Sequence, residues 1–306
     1  MELAQEDADD SWELYFFKRL VEEFCPGCGE YGHMVAICPM QYEGEEPLLL
    51  SQEPEGEELQ FCKLEREEWE AQPPDFFGGV DKGVKLVLNK CRKCVVVGNG
   101  GVLRNKTLGK VIDSFEVIIR LNSGPVRGYE SDVGKRTTFR LCYPESIFKD
   151  SRDSDPDTTV VIIPFKPHDL RWMTEVLLHK PVNIEGFWTK PATKLIYKPE
   201  QLRVLSPLYL DKAAHNFLHF PEKLLPKKIP THPTSGIIAI AMALNVCEKV
   251  YIAGFKYNLS SNNYLHYYGN EKMFAMTRNK YHNITAEQIF LHQLKYSQAI
   301  IDLTDE

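Results

Sequence analysis

The sequence predicts an α/β protein, with one Rossmann-like domain over residues 91–306 behind an acidic leader (1–72) and a linker (73–90). Three observations predict it. After Lys90, short β-branched runs alternate with stretches whose apolar residues recur every three or four positions, the pattern of βαβ units on a parallel sheet. The first of those runs, Val95-Val96-Val97, leads straight into Gly98-Asn99-Gly100-Gly101. Charge also changes sign near the boundary. Residues 1–72 hold 20 acidic and 4 basic side chains, a net of −16, while the rest of this 306-residue chain carries +9. With 43% hydrophobic residues the chain can bury a sizeable core.

The leader has one candidate amphipathic helix, 12–24, and an acidic run over 43–70 with little periodicity, so most of it is expected to be disordered. Within it stands Cys25-x2-Cys28-x4-His33-x4-Cys38, with Gly29 and Gly32 where a tight metal-wrapping loop needs positive φ. Three thiolates and an imidazole satisfy tetrahedral zinc, and the spacing resembles a retroviral-type zinc knuckle, so zinc is the expected ion here. Nucleic acid is not an expected partner, because a net charge of −16 repels phosphate. Gln72-Pro73-Pro74 and Gly78-Gly79 mark the linker.

In the domain, strands are expected at 94–97, 116–120, 138–141, 159–164, 203–205 and 249–253. Helices are expected at 168–178, 210–220, 235–247 and 285–296, with Thr234 or Ser235 and Thr285 as N-caps. The glycine loop alone is a weak signal, since it lacks both the GxGxxG spacing and the phosphate-loop lysine and serine. Segments further along the chain add weight to it: Ile118-Ile119-Arg120-Leu121-Asn122, Asp132-Val133-Gly134, and Arg140-Leu141-Cys142-Tyr143-Pro144-Glu145-Ser146. Then come His232-Pro233-Thr234-Ser235-Gly236, Gly254-Phe255, His266-Tyr267-Tyr268-Gly269, and Tyr281-His282 with Glu287.

In this order and at these separations the segments resemble the four sialylmotifs of the animal sialyltransferases, and within them most of all the type VI branch of the β-galactoside α-2,3-sialyltransferases. The resemblance covers roughly 91–306. It implies a GT-A-like variant of the Rossmann-like fold and transfer of sialic acid from CMP-sialic acid to the 3-hydroxyl of a terminal galactose, in Galβ1,4GlcNAc units, with inversion. By the same resemblance His282 is the general base, a task suited to a group titrating near pH 6.5, and His266 faces the departing phosphate. Asn99 and Asn122 hold the nucleotide, Thr234, Ser235 and Gly236 face nucleotide and donor carboxylate, and Gly254 and Tyr143 line the cleft. Cys94 and Cys247 match the family's disulfide, Cys91 matches a cysteine whose partner lies upstream, and no metal is needed for catalysis.

Asp153-Ser154-Asp155 fits the metal-holding Asp-x-Asp pattern, but its Ser- and Asp-rich surroundings read better as a solvated turn. Glu287 reads equally as an active-site orienter or a helix-surface residue. Cys62 and Cys142 have no obvious partner. Asn105, Asn258 and Asn283 head glycosylation sequons.

No run of about 18 apolar residues occurs, so no membrane span is expected, and the opening Glu2, Glu6, Asp7, Asp9 and Asp10 do not make a signal peptide. Read as it stands the chain is expected in the cytosol, whereas the resemblance implies the Golgi. Zinc-bound thiols and a disulfide also ask for opposite redox compartments. The expectation is a fusion, real or produced by gene prediction, in which a retroelement-like leader replaces the anchor, the stem and the first part of the enzyme. The alternative is a non-catalytic zinc-binding interaction protein carrying an inert, truncated sialyltransferase domain.

Overall fold

The computed structural model describes residues 91–221, 231–256 and 262–305. The leader with Cys25, Cys28, His33 and Cys38, the linker, and the sequon at Asn258 lie outside the described residues.

Seven strands form one wholly parallel sheet: β1 (Cys91–Val97), β2 (Val117–Leu121), β3 (Phe139–Cys142), β4 (Thr159–Ile162), β5 (Leu202–Val204), β6 (Cys247–Ala253) and β7 (Ile300–Asp302). Their order is β5-β4-β3-β2-β1-β6-β7. The chain winds outward from β1 through β5, then returns to β1's other side for β6 and β7. The topological switch point therefore lies between β1 and β6, where open α/β sheets part to form a crevice beyond their carboxyl ends.

Helices cover the sheet: α1 (Gly109–Ile112), α2 (Glu130–Val133), α3 (Pro167–Leu177), α4 (Pro207–Lys212), α5 (Ser235–Val246) and α6 (Ile284–Tyr296). Alternation along each strand decides which face a side chain meets. Cys94 and Val96 of β1, with Val117, Ile119 and Leu121 of β2, share a core with α5 and with Phe290 and Leu291 of α6. Val95, Val97 and Ile118 point the other way, onto Leu103, Ile112 and Phe115. Toward the β4 end a further core gathers Val160 and Ile162 against Trp172, Met173 and Val176 of α3. With both faces covered, the strands read as continuous apolar runs. Helix α5 is buried from Ser235 through Ala243, which explains an apolar surface on every side.

All six expected strands and four expected helices are present, with shifted ends. The stretch expected as a helix over 210–220 is α4 running into a π-helical turn, Ala213–Phe217. Helix α6 is capped by Asn283, whose side chain accepts from the Ala286 amide, instead of Thr285. The short α1, α2 and β7 carry too few residues for a periodicity to register. Among the described residues no helix is long and apolar enough to cross a membrane.

Cys94 and Cys247 are disulfide-bonded across β1 and β6, closing a loop of sequence separation 153. Cys142 is a buried free thiol, and burial pushes its pKa up to about 12, so it is inert at neutral pH. Asp155 corrects the reading of Asp153-Ser154-Asp155 as a solvated turn. It is buried, its carboxylate bonded to Arg140 Nε at 2.5 Å and to Thr137 Oγ1 at 2.8 Å. Among the described residues no three His, Cys, Asp or Glu side chains gather as a metal site requires.

Candidate active site at the switch point

The crevice floor is backbone meeting backbone. Gly98 N donates to Ala253 O at 2.7 Å and Gly100 N to Gly254 O at 3.0 Å, so the loop after β1 lies flat on the turn after β6. Gly254 has φ +85°, where glycine is favoured. A Cβ on Gly98 would stand 2.7 Å from Gly254 O and 3.0 Å from the Phe255 ring. Gly98→Ala is accordingly expected to destabilise the domain by about 1–3 kcal/mol, as overpacking does, and to lower ligand affinity; a thermal melt with and without nucleotide checks both.

Asn99 and Asn122 stand at the ends of β1 and β2. Asn99 Nδ2 donates to Leu121 O at 3.4 Å, and its backbone carbonyl receives Tyr267 N at 3.0 Å. Asn122 takes φ +51°, a left-handed position that asparagine tolerates better than most residues. Its carboxamide oxygen accepts from Ser146 Oγ at 3.0 Å, and Ser146 Oγ accepts from Tyr143 N at 3.0 Å. Below it the buried Arg140 guanidinium donates to Asn122 O at 2.7 Å and Gly124 O at 3.1 Å. Arg140 thus braces the floor of the site. Burial pushes the Tyr143 hydroxyl up to about 12, so it remains a donor.

Helix α5 points its N-terminus at this floor. A Cβ on Gly236 would lie 2.8 Å from the same Phe255 ring and 3.7 Å from Leu121, which places the first turn of α5 over the ends of β1, β2 and β6. Thr234 is the N-cap. Its Oγ1 accepts from Ile237 N at 3.3 Å and its carbonyl from Ile238 N at 3.1 Å, leaving the Ser235 and Gly236 amides outside the helix's own bonding. Amides so placed, with the helix dipole behind them, suit an anion.

Glu287 is buried and holds that cap in place. Its two carboxylate oxygens accept from Thr234 N and Thr234 Oγ1, each at 2.8 Å. Burial outweighs these bonds and raises its pKa to about 7. Of the two readings left open for Glu287, the helix-surface one does not hold: the side chain is buried against the Thr234 cap.

His266 reaches the site from the loop after β6. Its backbone bridges Gly100, and its ring stacks on Tyr268 with centroids 5.0 Å apart. Burial lowers its pKa from the ordinary histidine value. His282 is set by one backbone bond and one ring contact between distant segments: His232 N donates to Tyr281 O at 2.9 Å, and His282 Nδ1 lies 2.9 Å from His232 O. A carbonyl oxygen only accepts, so Nδ1 carries the proton and Nε2 the basic lone pair. Burial lowers the His282 pKa below the usual histidine value, which keeps that lone pair free at neutral pH.

Beside His282 stands a group of rings whose central member, Trp188, sequence reasoning missed as a site residue. Trp188 lies 5.7 Å from His232, 5.8 Å from Tyr143 and 6.2 Å from Tyr281, centroid to centroid. Its face covers the Lys166 ammonium at 4.0 Å, and its amide donates to Glu145 Oε1 at 3.0 Å. Lys166 also pairs with Glu145 at 2.9 Å and Asp169 at 2.8 Å. Trp188 falls in a stretch without periodicity, so nothing local marked it, whereas Glu145 and Tyr281 sit inside the motifs.

Residues 72–299 match the family described as glycosyltransferase family 29 (sialyltransferase). This chain belongs to that sialyltransferase family. It is 56% identical over 217 residues to the human type 2 lactosamine alpha-2,3-sialyltransferase, covering 71% of this chain and 66% of that protein. It is 36% identical over 248 residues to the human CMP-N-acetylneuraminate-beta-1,4-galactoside alpha-2,3-sialyltransferase, covering 76% and 66%. The chain thus spans just under two thirds of the length of these curated relatives. A crystal structure of a mammalian sialyltransferase superposes with a TM-score of 0.60 at 26% identity over 75% of each chain.

Within this sialyltransferase fold the two remaining sequons differ. Both Asn105, at φ +59°, and Asn283 are exposed, but the Asn283 carboxamide oxygen is already engaged as the cap of α6 beside His282.

Proposed function

We propose that the chain transfers sialic acid from CMP-sialic acid to the 3-hydroxyl of a terminal galactose, in Galβ1,4GlcNAc units of glycoproteins or glycolipids, with inversion at the anomeric carbon. The observation that carries this reading is the His282 imidazole, whose Nδ1 is committed to His232 O and whose Nε2 is left as a base.

A galactose hydroxyl is a weak nucleophile at neutral pH, and removal of its proton as it attacks is the step His282 serves. Inversion in a single displacement requires the attacking hydroxyl and the departing phosphate on opposite faces of the anomeric carbon. On the departing side, negative charge grows on phosphate oxygen. The α5 N-terminal amides and the His266 ring offer donors and positive field for it. His266, largely neutral in the free protein because burial lowers its pKa, gains basicity as an anionic phosphate arrives. Asn99 and Asn122 are assigned to the nucleotide, Ser235 and Gly236 to phosphate and carboxylate, and Gly254 and Tyr143 to the cleft wall. No metal is given a role in the reaction. The Cys94–Cys247 bond supports an oxidising compartment, and we assign the protein to the Golgi.

Incubating the purified chain with CMP-sialic acid and either Galβ1,4GlcNAc or Galβ1,3GalNAc tests this. Transfer to O3 of the first sugar in preference to the second is expected; no transfer to either disproves it. In the same assay kcat/KM is expected to fall on the acid side with a midpoint below the ordinary histidine value near 6.5. The sign is set by the base. It must be neutral to act, its pKa is lowered by burial, and activity disappears only as pH drops through that lowered value. An acid limb centred above 6.5 would assign the titration to another group.

A further inference from the structure

The His232 side chain has a hydrogen-bonding atom that no described residue uses. Its Nδ1 lies 3.2 Å from the Pro233 carbonyl, which only accepts, so Nδ1 is protonated and Nε2 carries a lone pair. Nε2 is buried and has no hydrogen-bond partner among the described residues. Burial, followed by the neighbouring His282, lowers the ring's pKa to about 3, so that lone pair persists through the working pH range.

The surroundings point to a sugar. The His232 ring meets His282 edge-on with centroids 4.6 Å apart. It packs on Phe165 at 4.7 Å and runs nearly parallel to Trp188 at 5.7 Å and Tyr281 at 6.4 Å. Trp188 and Tyr281 are themselves 44% and 46% exposed, so part of each side chain reaches solvent beside the base. A buried acceptor atom without a donor costs free energy in the unliganded protein, and a ligand hydroxyl removes that cost. Apolar walls with a few convergent polar atoms are how small-molecule sites fix orientation.

We propose that His232 is an acceptor-binding residue whose Nε2 accepts a hydrogen bond from the hydroxyl next to the one His282 deprotonates. This rests on the galactosyl-acceptor reading above and deepens it. Two imidazoles at this separation read a vicinal pair of hydroxyls, O3 for His282 and either O2 or O4 for His232, while the exposed parts of Trp188 and Tyr281 border the sugar's C–H surface.

Steady-state kinetics of the full chain tests this with Galβ1,4GlcNAc and its 2-, 4- and 6-deoxygalactose analogues, on wild type, His232→Phe and His232→Gln. The wild type is expected to lose about tenfold in kcat/KM on either the 2-deoxy or the 4-deoxy acceptor, the worth of one hydrogen bond. His232→Phe keeps the ring stack but has no acceptor atom. Its acceptor KM is expected to rise about tenfold with the CMP-sialic acid KM unchanged, and it should treat that analogue like the parent sugar. His232→Gln, with a carbonyl oxygen in place of the lone pair, is expected to recover part of the discrimination. If the Phe variant does not fold, His232→Asn, whose shorter amide withdraws the acceptor, makes the same comparison. Equal discrimination by wild type and variant, sensitivity confined to the 6-deoxy acceptor, or a rise in donor KM alone would overturn the assignment. Absence of transfer by the wild type is a different result, which removes the proposed function itself.

Discussion

His282→Ala is expected to lower kcat about a thousandfold, within the range a positioned general base contributes, while leaving the KM for CMP-sialic acid within a few fold. The reason is local. The imidazole is held by one bond from Nδ1 to His232 O, and the backbone bond from His232 N to Tyr281 O survives the substitution, so the segment keeps its path. The Thr234 cap keeps its bonds to Glu287 as well, so the anion end of the cleft is untouched. What the variant lacks is the imidazole to which the proposed reaction gives the proton. An alanine variant within tenfold of wild-type turnover would take His282 out of the chemistry, and unchanged thermal stability would show that the loss is chemical.

Removing the disulfide is expected to have the largest effect on stability. In the chain-entropy model a closed loop of this length contributes about 5 kcal/mol by restricting the unfolded state. Domains of this kind have only about 5–15 kcal/mol to lose. The bond also joins β1 to β6, whose carboxyl ends carry the glycine loop and Gly254, so its loss should loosen the crevice before the domain melts. Cys94 is wholly buried and Cys247 nearly so, which shields the bond from reductant in the folded state. Urea unfolding of the Cys94→Ser, Cys247→Ser double variant against wild type measures it; the double substitution avoids leaving a lone thiol to pair elsewhere. A difference below about 1 kcal/mol would mean that strand packing alone holds β1 against β6.

The parts of the site that were legible in the sequence were those in which one short segment carries both the geometry and the chemistry. The loop from Gly98 to Gly101 is readable because the backbone approach it makes to Gly254 excludes a Cβ. Thr234 before an apolar run reads as a cap because its hydroxyl reaches an amide three residues on. Asp155 and Glu287 were not legible in this way. Each is an acidic residue in an ordinary local setting, and each owes its burial to a partner far along the chain: Arg140 on β3 for one, Thr234 at sequence separation 53 for the other. The two buried arginines of the motifs behave alike. Arg120 donates to the Val133 and Arg136 carbonyls and Arg140 to those of Asn122 and Gly124, so charges that the sequence shows only as motif letters turn out to tie loops to the sheet.

By itself the sequence determined the alternation of strands and helices and the family through its ordered motifs, and it singled out the two histidines on which the proposed chemistry rests. Periodicity and cap chemistry depend on neighbours within a turn or a strand, so they survive in a linear string. Only the tertiary structure decided that His232 stands edge-on to His282, that Trp188 joins them from an irregular loop, and that Glu287 lies inside the protein. Those contacts join residues far apart in the chain, as with Thr234 and Glu287 at separation 53, and they exist because a parallel sheet returning to β1 brings the ends of distant strands to one edge.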